Sequence, residues 1–284
     1  MFWLWFFCGA AAVVLLGVLT VFLVGRILRY RSYTVFLPTL PPALDGYRIA
    51  VISDLHDRRF GRANRILAHK VLAASPDLVV IAGDMHEPPH DPQPFYDLIK
   101  TLASKVPVTY TEGNHDLRVA SQGDYSAHLS KIASCGAVLL NDAQHPISYG
   151  NEIFLLCGQS WASVSQGRSF SADLRYFTLL VAHDPMQFDR LSTLPDLLIS
   201  GHVHGGILRL PFLGPIFAPG NGAPISKRFS AKYFFPKYSR GLYYQGNKCL
   251  AVTQGLGFSV LPVRFIPPEV MVLTLKSGEI LNNS

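Results

Sequence analysis

The sequence predicts an α/β fold, and three observations support this class. Five apolar runs stop abruptly at polar side chains, which is typical of buried parallel strands whose last residues emerge at one edge of a sheet. Segments with helical spacing of apolar residues separate the first runs. The resulting strand–helix–strand order predicts right-handed crossovers. Because open α/β sheets bind ligands at the carboxyl ends of their strands, we expect the functional site there.

The polar tips of these strands carry metal-ligand side chains. The first run, residues 51–53, ends in Asp54 and His56, and the others end in Asp84; Asn114, His115 and Asp116; His183; and His202 and His204. Carboxylate oxygens mixed with imidazole nitrogens suit Mn, Fe or Zn, whereas calcium takes oxygen throughout. Seven of these side chains are taken as ligands, which is too many for one ion: Asp54, His56, Asp84, Asn114, His183, His202 and His204. A shared carboxylate would divide them between two ions about 3.5 to 4 Å apart, as in phosphoryl transfer.

The rest of the chain predicts one catalytic domain over residues 48–284. With 284 residues and 49% apolar content, the chain can bury a sizeable core, which argues against disorder. Apolar spacing predicts helices over residues 63–74, 94–104 and 125–134, and further strands over 137–140, 249–253 and 270–275. Four cysteines without a CxxC pair indicate a reducing compartment.

The amino-terminal residues 1–25 predict a membrane anchor. Residues 2–24 carry no charge and exceed the roughly 20 residues that span a hydrocarbon core. A cleaved signal peptide is disfavoured because the charged n-region is missing. Three arginines at 26, 29 and 31 follow the run, so the positive-inside rule predicts a single-pass protein of the cell membrane with a cytoplasmic catalytic domain; the outward orientation stays open. Residues 26–47, rich in proline, predict an extended connector.

Two later segments suggest contact with lipid. The net charge is +6, and residues 227–240 interleave lysine and arginine with aromatic rings. Behind an anchor, this composition favours a membrane interface, and nucleic acid is not expected as a partner. Residues 207–217, including Phe212 and Phe217, are apolar and follow the last predicted ligand closely. They are interpreted either as core or as a trough for a lipid tail beside the metals.

The order of the blocks resembles the calcineurin-like metallophosphoesterases. Within residues 48–206 the motifs DxH, GD, GNHD, H and GHxH occur in that order, and the tail resembles the membrane-anchored bacterial branch, similar to its UDP-diacylglucosamine pyrophosphatase type. The resemblance implies a four-layer α/β/β/α sandwich of two mixed sheets. It also implies a first ion on Asp54, His56 and His204, a second on Asn114, His183 and His202, and a bridging Asp84. His115 would be catalytic, with Asp116 orienting it.

The leading hypothesis is a membrane-anchored hydrolase with two divalent ions, Mn, Zn or Fe. It would cleave a phosphodiester or pyrophosphate bond by attack of a metal-bound hydroxide, in a membrane lipid or a lipid-linked nucleotide. Arg58 or Arg118, more than Arg59, would bind the phosphate as a bidentate donor. The alternatives are a noncatalytic metal-binding scaffold on the same fold and a nuclease or nucleotide phosphodiesterase.

Overall fold

The computed structural model describes residues 2–171, 173, 175–206, 208–210, 214–217, 234–258, 264 and 266–279. The helices in this part are α1 (Phe2–Val24), α2 (Arg65–Leu72), α3 (Gln93–Ala103), α4 (Arg118–Gln122), α5 (Tyr125–Ser134), α6 (Trp161–Ser165) and α7 (Gln187–Arg190). The strands are β1 (Arg29–Phe36), β2 (Arg48–Ile52), β3 (Leu78–Ala82), β4 (Val108–Thr111), β5 (Ala137–Leu139), β6 (Gln144–Tyr149), β7 (Glu152–Gln159), β8 (Phe177–Ala182), β9 (Leu197–Ser200), β10 (Leu208–Leu210), β11 (Gly214–Phe217), β12 (Gly241–Gln245), β13 (Lys248–Val252) and β14 (Glu269–Lys276).

The first sheet has the order β1-β14-β2-β3-β4-β5. Strands β2 to β5 are parallel, whereas β14 runs antiparallel to β2. Helices α2, α3 and α5 cover the outer face, where Leu67 of α2 and Ile99 of α3 pack in one core with Ile52 and Ile81. The crossovers bring the ends of β2, β3 and β4 to one edge, as the sequence predicts.

The second sheet has the order β12-β13-β9-β8-β7-β6 and packs face to face with the first. Strands β7, β8, β9 and β13 are parallel, and the two edge strands are antiparallel. Val51 and Val80 of the first sheet share a buried core with Val181 and Ile199 of the second. The outer face of the second sheet is covered around Phe188 of the short helix α7. The α/β fold with two mixed sheets is therefore confirmed.

The predicted connector, residues 26–47, contains a strand of the first sheet. Strand β1 pairs in parallel with β14 along its whole length, from Arg29 opposite Glu269 to Phe36 opposite Lys276. The prediction of a mere link is wrong for these residues. The reason is physical: β1 is an edge strand whose partner lies near the other end of the chain, so no local pattern reveals the pairing.

Helix α1 forms where the uncharged run predicts it, and large apolar side chains such as Trp5 and Phe7 are exposed on it. A membrane-spanning segment is not confirmed, since within the described part of the chain no helix is long and apolar enough to cross a bilayer. The end of α1 is attached to the catalytic domain by Arg58, which donates to the carbonyls of Gly25 (2.5 Å) and Leu256 (3.0 Å).

Candidate metal centre

The strand ends are held together by sharp turns in the left-handed region. Asp54, His56, Asp84, His202 and His204 all have φ between 45° and 73°, a conformation that non-glycine residues rarely adopt. Backbone bonds connect the first two turns, because the N–H groups of Asp54 and His56 donate to the carbonyls of Gly83 (2.9 Å) and Asp84 (3.1 Å). Such strain is characteristic of functional sites.

Two groups of side chains offer ligand atoms that lie within 4.8 Å of one another. One group is Asp54, His56 and His204, and the other is Asp84, His183 and His202. The imidazole Nε2 atoms of His56 and His204 are 3.2 Å apart, and His183 Nε2 is 3.1 Å from Asp84 Oδ2.

Asp84 also forms a group with His56 and His115, so it adjoins both sets of imidazoles. This arrangement corresponds to the predicted division of ligands around a bridging Asp84.

The donor set fits divalent cations. Asn114 Oδ1 is buried and has no hydrogen-bond partner, which is the condition expected of an oxygen that awaits a cation. His56 and His204 bring their Nε2 atoms to 3.2 Å from each other, so two imidazole nitrogens are available at one point of the site. The space is also closely fitted, since a Cβ on Gly113 would lie 2.2 Å from Asp84 Oδ1. Nitrogen and oxygen donors of this kind suit Mn, Fe or Zn.

The electrostatics of the site favour positive charge beside the carboxylates. Burial opposes protonation of His183, but the charges of Asp84 and Asp54 outweigh burial and raise its pKa to about 10. Burial would raise the pKa of Asp84, yet His183 and the neighbouring imidazoles hold it well below its ordinary value. Burial, with the charge of His56, keeps the pKa of His204 well below 6.5. The ionised carboxylates and the neutral His204 are in the states that metal binding requires, whereas His183 would release a proton when it binds a cation.

His115 has a carboxylate partner that the sequence analysis did not identify. His115 Nδ1 lies 3.0 Å from Glu87 Oε1, and the same oxygen accepts a short hydrogen bond from Arg118. His56 Nδ1 is 3.5 Å from the other carboxylate oxygen of Glu87. Hydrogen bonds from His115 and His56 keep the pKa of Glu87 far below its ordinary value. The one signal in the sequence is position, because Glu87 follows Asp84 by three residues in the same loop.

Asp116 organises the backbone of the site. Its carboxylate, fully buried, accepts from the N–H groups of Asp84 (2.7 Å), Gly113 (2.8 Å), Met85 (3.1 Å) and His86 (3.3 Å). The sequence analysis assigned Asp116 to orienting His115, but these bonds join the loops after β3 and β4. The carboxylate therefore fixes the bridging residue, and Glu87 contacts the imidazole.

The two predicted phosphate-binding arginines have different surroundings. Arg118 bonds Glu87 beside His115, so the structure brings it to the cluster. Arg58 instead gives its donors to two backbone carbonyls and stacks on Phe60 and Phe258, with ring centroids 4.7 and 4.5 Å from its guanidinium carbon. The side chain of Arg58 thus holds α1 to the domain, and phosphate binding by Arg58 stays a prediction.

Trp161 adds an aromatic wall that the sequence analysis missed. Its ring centroid lies 5.1 Å from that of His202 and 5.9 Å from that of His183. The N–H of Ala162 donates to Glu112 at 3.2 Å, which ties this segment to the loop before Asn114.

Of the predicted lipid-contacting segments, residues 207, 211–213 (which include Phe212) and 227–233 lie outside the described residues. Phe217 is described and pairs with Phe234, with ring centroids 5.4 Å apart.

Comparison with known proteins places this geometry in context. Residues 47–206 match the sequence model of a family described as calcineurin-like phosphoesterase. The chain is 27% identical to an uncharacterized metallophosphoesterase of Bacillus subtilis (strain 168), YkuE, over 87% of this chain and 85% of that protein. It is 29% identical to the phosphodiesterase YaeI of Escherichia coli (strain K12), over 81% and 82%. A solved phosphopantetheinyl hydrolase from Mycobacterium tuberculosis is 12% identical, covering 75% of this chain and 91% of that one, with a TM-score of 0.43.

Proposed function

Because the chain belongs to the calcineurin-like phosphoesterase family and is a metal-dependent phosphoester hydrolase, we propose that it cleaves a phosphodiester or pyrophosphate bond with two divalent metal ions. One observation carries this proposal: Asp84 belongs to ligand groups with both His56 and His183. The family is typically dependent on two metals. The relative YaeI is named a phosphodiesterase, which supports a diester over a monoester.

The chain's own residues supply positioning and proton transfer. When bound, the two cations would lower the pKa of water and neutralise phosphate oxygens. Asp54, His56 and His204 would hold one ion, Asn114, His183 and His202 the other, and Asp84 both. His115 Nδ1 lies 3.0 Å from Glu87 Oε1, and its second ring nitrogen would give a proton to the departing oxygen. Arg118, fixed on the same carboxylate, adds positive charge beside the phosphate.

The substrate is proposed to be a membrane lipid or lipid-linked nucleotide, with attachment to the membrane through α1. The support is the absence of charge in Phe2–Val24 and the exposure of its large side chains, including Trp5 at 72%. The Arg58–Gly25 bond places the end of α1 beside the loop that carries His56. A substrate embedded in the membrane would therefore meet the metal centre close to the bilayer surface. The arginines after α1 favour a cytoplasmic catalytic domain.

An apolar hairpin next to the metal loop supports the lipid proposal. A Cβ on Gly206, two residues after His204, would lie 2.6 Å from Pro215 Cβ, so β10–β11 packs against that loop. Phe217 contacts Phe234 edge to face, and Phe235 is 70% exposed. These rings offer a surface for the apolar part of a substrate. In the second candidate function, that of a nucleotide phosphodiesterase, the base of the nucleotide would contact the ring of Trp161.

Hydrolysis by the full chain tests both parts of the proposal. Purified protein with Mn, Zn or Fe would be given a panel of lipid phosphates and pyrophosphates beside bis-p-nitrophenyl phosphate. We expect Asp84→Ala to lose bound metal and all turnover, and Phe217→Ser to reduce lipid hydrolysis more than hydrolysis of the small diester. Equal losses on both substrates would exclude the apolar surface, and an active, metal-free Asp84→Ala protein would exclude the bridging role.

Topology is measured separately. A reporter fused at the carboxyl terminus is expected to give a cytoplasmic signal. A signal from the outer side would change the set of candidate lipids.

A further inference from the structure

A buried acid–imidazole pair lies directly behind Glu87. Asp57 Oδ2 accepts a 2.7 Å hydrogen bond from the backbone N–H of Glu87, and Asp57 Oδ1 lies 2.8 Å from His86 Nδ1. The side chain of Asp57 is 10% exposed and that of His86 is 5% exposed. Neither residue belongs to the ligand groups found among the described residues. Both are therefore buried polar groups to which hydrolysis as described assigns no role.

The pair connects the loop after β2 to the loop after β3. The N–H of Asp57 donates to Met85 O at 3.2 Å, and Asp57 has a φ of 54°, so its carboxylate is turned across onto the second loop. His90 Nδ1 lies 2.8 Å from the carbonyl oxygen of Glu87, so the second backbone polar group of this residue also has a partner. Both backbone groups of Glu87 are thus held at the point where its side chain extends toward His115. That side chain is 29% exposed, and Arg118 bonds its carboxylate from the other loop.

We propose that Asp57 and His86 are positioning residues that hold Glu87 against His115, an inference that rests on the proposed role of His115. Neither residue is placed in contact with the substrate or with the reacting atoms. Without the carboxylate of Asp57, the Glu87 N–H loses its acceptor and His86 loses its partner, so the turn relaxes and His115 loses its fixed orientation. Residues that support a catalytic shell in this way typically contribute about 10- to 100-fold in activity.

A double-mutant cycle separates this role from a general structural one. Asp57→Ala, His115→Ala and the double variant are compared, each at full metal content, by kcat on bis-p-nitrophenyl phosphate and on diphenyl phosphate, whose poorer leaving group depends more on proton donation. We expect Asp57→Ala to lower kcat on diphenyl phosphate by about 10- to 100-fold, with a smaller loss on the nitrophenyl diester and an unchanged KM. In the His115→Ala background, Asp57→Ala should lower kcat on diphenyl phosphate by less than about twofold.

Control variants distinguish a failure of the positioning role of Asp57 from a failure of the proposed role of His115. Asp91→Ala, which removes an exposed carboxylate that also accepts a backbone N–H, should leave kcat unchanged. Asp57→Asn keeps an acceptor for Glu87 and should recover most of the activity. Equal losses from Asp57→Ala in both backgrounds would overturn the positioning role and leave the proposed hydrolysis intact. Full activity of His115→Ala would overturn the role of His115 and this inference with it.

If Asp57→Ala purifies without metal, a variant of His86 replaces it in the cycle. His86→Gln leaves the loop after β2 unaltered and is carried through the same cycle. A loss confined to the background that retains His115 supports the proposal. Additive losses overturn it.

Discussion

Gly113→Ala tests how strictly the position of Asp84 is fixed. The new Cβ would lie 2.2 Å from Asp84 Oδ1 and 2.7 Å from the Asp84 backbone nitrogen, both closer than real Cβ contacts. Asp84 cannot rotate freely away, because Oδ1 accepts the His115 N–H at 2.7 Å and Asp116 holds its backbone. The carboxylate must therefore shift by roughly 1 Å to reach ordinary contact distance.

A displacement of that size in a catalytic group costs about 100-fold in rate. We expect Gly113→Ala to lower kcat on bis-p-nitrophenyl phosphate by about that factor and to reduce the metal content measured by mass spectrometry. Gly123→Ala is the matched control, since its nearest heavy atom would be 3.9 Å away. A Gly113→Ala protein with full metal content and the kcat of the unaltered chain would refute the fixed position of Asp84.

Three further predictions concern the neighbourhood of the site. Glu87→Gln should lower kcat by about 10- to 100-fold because His115 loses its carboxylate, and steady-state kinetics that match the unaltered chain would contradict this. Arg58→Ala should leave KM unchanged and lower the free energy of unfolding by about 2 to 3 kcal/mol, measured by urea denaturation, whereas a raised KM would support phosphate binding. Burial, with the charge of His86, lowers the pKa of His128 from 6.5 to about 4. The free energy of unfolding should therefore fall by up to about 3 kcal/mol as the pH drops from 6.5 to about 4. His128→Phe should make the free energy of unfolding less dependent on pH in this range.

The sign of the His128 effect follows from proton linkage. The unfolded chain binds the proton near pH 6.5, and the folded chain resists it until about pH 4. Stability is therefore fully present above the upper value and declines below it. His128 is 5% exposed, and this burial disfavours the charged ring.

Much of the metal centre could be predicted because its signals are local. Asp54 and Asp84 follow neighbouring parallel strands directly, so their loops adjoin at one edge of the first sheet although they are far apart in sequence. His183 follows a strand of the second sheet and reaches 3.1 Å from Asp84 because the two sheets pack together. Helix α5 has the predicted bounds, residues 125–134, because its apolar spacing and a capping acid, Asp124, are both visible in the sequence.

The missed features depend on contacts across the fold. Nothing near Glu87 in the sequence indicates that its side chain meets His115, which belongs to another loop. Asp116 follows His115 directly, yet its carboxylate turns away to the backbone of Asp84. Arg58 follows a ligand by two residues, but Gly25 and Leu256 take its donors. Adjacency in sequence predicts which loop a side chain belongs to and does not predict the direction in which it points.

The most direct test is a crystal structure of the manganese-loaded protein with anomalous scattering recorded at two wavelengths. We expect two manganese peaks about 3.5 to 4 Å apart, with Asp84 in contact with both and Asn114 Oδ1 bound to the one shared with His183. One peak alone, or two peaks with Asp84 bound to neither, would contradict a bridged pair of cations.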